Sequence, residues 1–70
     1  MEITLPDNSI CIGKSVEEIE LPKDASLAAI IRDGHVIAPS PHDLFSAGDE
    51  LIFVASAEAE EKIKGCFIAN

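Results

Sequence analysis

The sequence predicts a small α+β domain, in the order strand, helix, three strands, helix, with a mostly antiparallel sheet and two helices on one of its faces. Three observations carry this. The runs Leu27 to Arg32 and His35 to Ala38 are apolar and hinge on Asp33-Gly34, a pair suited to a two-residue type I′ hairpin turn. Glu50 to Ser56, "ELIFVAS", is the strongest strand in the chain. From Ser56 onward, Ala59, Ile63 and Phe67 recur at the four-residue spacing of one buried helical stripe.

The elements follow in order. Glu2 to Leu5 alternates, placing Ile3 and Leu5 on one face of a strand. Pro6-Asp7-Asn8-Ser9 is turn chemistry, and Ile10-Cys11-Ile12 reads as a brief extended piece ended by Gly13. Ser15 and Glu18 have capping-box spacing, which predicts a short helix ending before Pro22. After the hairpin, Pro39 and Pro41 stop the strand. His42 to Ala47 is a loop or a single helical turn, and Gly48-Asp49 turns the chain into its last strand. Ser56 caps the final helix, with Glu58, Glu60 and Glu61 early and Lys62 and Lys64 late, as the helix dipole favours.

Residues 1–70 make one domain, and one that needs help. A chain of this length hides only about 60% of its unfolded surface. Yet 47% of its residues are hydrophobic, and its three aromatic residues are all Phe. Leu51, Phe53 and Ala55 point one way, while Ile52 and Val54 point the other. Strict alternation likewise sets Leu27, Ala29 and Ile31 against Ala28 and Ile30. The helices cover one sheet face; the other is also apolar, and nothing in the chain remains to cover it. A second copy about a two-fold axis is the expected cover, through Ala28, Ile30, Ile52 and Val54.

Composition excludes several partners. Thirteen Asp and Glu against five Lys and Arg give a formal charge of −8. Nucleic acid and anionic lipid are bound chiefly through Lys and Arg, so neither is expected. No apolar run approaches the ~20 residues of a membrane span, and no basic-then-apolar leader opens the chain. Cytoplasmic residence follows, with Cys11 and Cys66 as free thiols. His35, His42 and the nearby Asp33, Asp43 and Asp49 fit no metal-ligand spacing, so no metal is expected. No serine sits in a nucleophile elbow, and the carboxylates read as solvated, so no catalytic residue is assigned.

Arg32, the chain's one arginine, stands at the end of an apolar strand. Two readings are open to it: a pairing with one of the many acids, or an oxyanion contact made by its planar fork.

In order along the chain, Gly13, Lys14, Leu21, Pro22, Ile30, Arg32, Gly34, Pro39, Gly48, Asp49 and Leu51 resemble the pattern of the TrkA-C domain. This is the C-terminal subdomain of RCK (regulator of potassium conductance) proteins, and the resemblance covers nearly the whole chain. It implies a regulatory, ligand-sensing domain of a cation channel or transporter, most naturally for potassium. Such domains pair as dimers and commonly follow an NAD-binding RCK N-terminal domain, whose GxGxxG loop does not occur here. Some members bind cyclic di-AMP at the dimer interface. By position the matching residues are Ile30, Ile31, Arg32 and His42, with no other cofactor expected. The alternative is a purely structural dimerisation module of a transporter, such as a cation/proton antiporter or an anion symporter, with no ligand.

Overall fold

The computed structural model describes residues 1–68. Its elements are β1 (Glu2–Thr4), a single 3-10 turn (Val16–Glu18), β2 (Ala25–Arg32), β3 (His35–Ile37), β4 (Glu50–Ala55) and α1 (Ala57–Phe67). The four strands form one sheet in the order β1-β4-β2-β3, with each neighbouring pair antiparallel. Arg32 pairs with His35 to close the hairpin, and Asp33 and Gly34 both take positive φ, 51° and 77°, as a type I′ turn requires.

Beneath the sheet lies the core: Ile3, Leu5, Cys11, Ile30, Phe45, Leu51, Phe53, Ile63 and Phe67. α1 packs here through Ala59, Ile63 and Phe67, as its stripe predicts. Phe67 is the hub, with its ring 5.6 Å from Phe45 in a T-shaped contact and 5.4 Å from Phe53. Ser56 caps the helix start by accepting a hydrogen bond from the Ala59 N–H at 3.1 Å. At the other end, Ser9 Oγ donates to the Phe67 carbonyl at 3.0 Å and Cys11 Sγ to the Cys66 carbonyl at 3.3 Å. These two side chains satisfy carbonyls that a helix end leaves without intrahelical partners.

Three expectations are corrected. The first helix is one 3-10 turn, so a single α-helix covers the inner sheet face, with loops filling the rest. Ser15 makes no cap; its hydroxyl donates to Glu18 Oε1 at 3.1 Å. The free N–H groups of Val16 and Glu17 bond instead to the carbonyls of Asp43 and Pro41, which fixes the turn against a distant loop. Ile10–Ile12 is a turn, with Cys11 inside and Ile10 outside.

The third correction is to the faces of β2. Leu27 pairs with Phe53, but Ala29 pairs with Ile52 and Ile30 with Leu51, so Ala28 is an extra residue in a β-bulge. Directly opposed residues share a face. Leu27 and Ile30 therefore lie together on the inner face, and Ala29 and Ile31 on the outer. Strict alternation places Ile30 outside; the bulge inverts that assignment.

Candidate functional site

Among the described residues, nothing covers the outer sheet face, which is apolar. Its central row is Ile31 and Ala29 from β2 with Ile52 and Val54 from β4; Val36, opposite Ile31, extends it onto β3. Val54 and Val36 are 69% and 74% exposed, high values for large apolar side chains. Polar side chains fringe the patch: Glu2 and Thr4 along β1, Ser26 opposite Val54, and Glu50 opposite Ile31. An apolar centre with a polar rim is the anatomy of a protein interface.

Of the expected interface residues, Ile52 and Val54 lie on this face and Ala28 is exposed at the bulge. Ile30 is not part of it. With no exposed surface at all, it is a core residue under the sheet. Ala29, Ile31 and Val36 belong to the patch, although strict alternation along β2 sets Ala29 and Ile31 on the opposite face from Ile30. Counting faces through β2 needs the bulge, and no residue pattern announces it.

The second feature is a clasp. Arg32 ends β2 on the inner side, and its guanidinium grips Asp49 with both arms, Nε to Oδ1 at 2.8 Å and Nη2 to Oδ2 at 2.7 Å. Nη2 also donates to the Leu44 carbonyl at 2.9 Å, and the Ser46 N–H donates to Asp49 Oδ2 at 2.9 Å. Asp49 is buried to 1% exposure, while about a third of the Arg32 side chain stays in solvent. Burial alone would raise the Asp49 carboxyl. The Arg32 hydrogen bonds, the Ser46 N–H and the arginine charge outweigh it and hold the group below the usual carboxylate range. The bond to Asp49 likewise raises the already high pKa of Arg32.

The first of the two readings of Arg32 is thus the one built into the fold: it ties the hairpin to the loop before β4. That loop carries His42, whose Nδ1 stands 3.7 Å from Glu17 Oε1 with both side chains largely exposed. The four residues matched to a ligand site are therefore dispersed. Ile31 is on the outer face, Ile30 is in the core, Arg32 is in the clasp and His42 is on an outer loop. Among the described residues, no three His, Cys, Asp or Glu side chains gather as a metal shell. No helix among them is long and apolar enough to cross a membrane.

Fold and surface together define a small α+β domain with one sheet face under a helix and the other left bare. The chain belongs to the TrkA-C domain family, whose model matches residues 1–65. It is 49% identical over 63 residues to the Trk system potassium uptake protein TrkA of Mycobacterium tuberculosis, covering 90% of this chain and 29% of that protein. It is 31% identical over 67 residues to a Trk system potassium uptake protein TrkA homolog of Archaeoglobus fulgidus, covering 96% of this chain and 15% of that one. The chain thus spans less than a third of the length of these curated relatives.

Among solved structures it resembles the RCK_C domain dimer of S. agalactiae BusR in complex with c-di-AMP. The TM-score is 0.85 at 27% identity, over the whole of this chain and 90% of that one. BusR in complex with its busAB-promotor DNA matches with the same TM-score and identity, but there this fold is 36% of the chain. The expected absence of nucleic-acid partners rests on charge, and a relative that binds DNA weakens it for any longer protein containing this domain.

Proposed function

We propose that this domain is a dimerising regulatory module of a potassium-transport system, one that passes dimer geometry or ligand occupancy to a membrane-embedded channel or transporter. The observation that carries the reading is the bare face of Ala29, Ile31, Val36, Ile52 and Val54. A chain of 70 residues gains little by leaving so much apolar surface in water, and a second copy covers it symmetrically. The RCK_C dimer of BusR supports this, and the Trk relatives support the transport setting. The module works at the cytoplasmic side, through an RCK N-terminal domain where one precedes it. The charge of −8 argues that any DNA contact in such a protein is made by other parts of it.

The ligand reading is that cyclic di-AMP, or a related adenine-containing anion, binds once per dimer where two copies of Ile31 and the His42 loops approach. A ligand gates only through different affinities for two arrangements of the dimer. Titration calorimetry tests this: one ligand per dimer is expected, with binding weakened by Ile31→Ala and His42→Ala. A second reading, a dimerisation module with no ligand, is favoured by one observation. The Nε and Nη2 arms of Arg32 are already taken by Asp49 and the Leu44 carbonyl, which leaves no two-armed grip for phosphate. Absence of heat at high ligand concentration, with the dimer intact, selects it.

A further inference from the structure

The site outside the sheet face that the proposed function does not use is the contact between loop 9–13 and the end of α1. Cys11 and Cys66 stand 55 residues apart in sequence, and both are free thiols. Cys11 is buried with its Sγ on the Cys66 carbonyl oxygen at 3.3 Å. A carbonyl oxygen lies about 2.4 Å from its own Cα, so this sulfur is within about 5.7 Å of the Cys66 Cα. With the length of the Cys11 side chain added, the two Cα atoms are at most about 8.5 Å apart, and the range of about 4.4–6.8 Å at which bridged cysteines hold them is reached by an approach of at most about 2 Å. Glycine flanks the contact on both segments. Cys66 is in the last turn of α1 directly after Gly65, a residue with no side chain and open space around its Cα. Gly13, at φ 86°, ends the opposing loop.

We infer that Cys11 and Cys66 form a redox-responsive pair, closing to an intramolecular disulfide that staples loop 9–13 to the C-terminal turn of α1. Cys66 is the partly exposed partner, and it lies on the helix, away from the sheet face proposed to pair. With a low-molecular-weight disulfide as oxidant, the Cys66 thiol loses its proton to solvent and its thiolate attacks one oxidant sulfur. The oxidant S–S bond breaks, and the first thiol leaves. The Cys11 thiol then loses its proton to solvent and attacks Cys66 Sγ, displacing the second thiol. Two cysteine thiols are oxidised and one disulfide is reduced to two thiols. Burial holds the Cys11 thiol pKa up, which lowers its thiolate fraction in the second step.

The staple acts beyond its own site. The same loop is bonded to Phe45 through the Gly13 N–H and the Lys14 carbonyl, and residues 41–45 carry His42 and the carbonyl held by Arg32. Oxidation therefore fixes one end of the helix and, through Phe45, the loop of the clasp.

The test exposes the full chain to oxidised glutathione, then alkylates free thiols under denaturing conditions and measures intact mass. The expected product has lost two hydrogens, takes up no alkylating agent, carries no glutathione and runs as a single chain without reductant. Its melting temperature lies above that of the reduced chain and returns on reduction. Cys11→Ser is expected to retain a glutathione adduct on Cys66. Cys66→Ser, a change at the edge of the core, is expected to keep Cys11 alkylatable. A stable adduct on Cys66 beside a free Cys11 in the parent chain overturns the inference. So does a cross-linked pair of chains, or a stapled chain that melts lower than the reduced one.

Discussion

Replacing Arg32 with Ala removes both arms of the grip on Asp49 and leaves a carboxylate at 1% exposure with the Ser46 N–H as its remaining hydrogen bond. Breaking a fully buried ion pair costs about 3–5 kcal/mol, because one charge is left uncompensated. Here about a third of Arg32 is in water, so solvent screens the pair and enters the space the side chain vacates. The expected loss is therefore about 2–3 kcal/mol, a large part of the stability a 70-residue domain has. Asp49→Ala leaves an arginine that can turn into solvent and is expected to cost less. Arg32→Lys keeps the charge but loses the fork and falls between parent and Arg32→Ala. Urea denaturation at fixed protein concentration measures all three, and the double variant gives the coupling. An Arg32→Ala change within about 0.5 kcal/mol of the parent would refute the clasp as a structural element.

Acid provides a second prediction. The folded-state pKa of Asp49 is depressed, so its contribution is present above the unfolded carboxylate value near ~3.9 and is lost as pH falls through the lower folded one. Without Arg32, burial dominates and raises that pKa above the unfolded value. The stability gap between Arg32→Ala and parent should then narrow as pH falls from 7 towards 4.5, and a constant gap would contradict the assignment. Ile30→Asp buries an unpaired charge in the core and is expected to abolish the cooperative unfolding transition at neutral pH, read by circular dichroism. Ser9→Ala removes the hydroxyl that caps the Phe67 carbonyl and is expected to cost about 1 kcal/mol, measured by thermal melting.

What could be read ahead of the structure was local. Asp33-Gly34 announces its turn because both positions need positive φ, and both have it. Ala59, Ile63 and Phe67 announce a helix face by spacing alone. Even the ordered set of glycines, prolines and Arg32 pointed to the family that residues 1–65 match. What was not legible depends on distant partners. Ser15 and Glu18 have capping-box spacing, but the Glu18 N–H that the box would serve bonds to the Ser15 carbonyl, and those of Val16 and Glu17 bond to carbonyls more than twenty residues on. Arg32 and Asp49 are 17 residues apart in a chain with twelve other acids, so sequence could not select the pair. The bulge at Ala28 has no residue signature, and it alone moves Ile30 from the outer face to the core.

The outer face as a contact between two copies is tested most directly by sedimentation velocity on the parent and on Val54→Asp. Val54 is 69% exposed in the single chain, so a carboxylate there is solvated in the monomer and buried unpaired in the dimer. The expected result is a dimer at micromolar concentration for the parent and a folded monomer, with unchanged circular dichroism, for Val54→Asp. A well-folded parent monomer at that concentration, or a Val54→Asp chain that pairs as tightly as the parent, would contradict it.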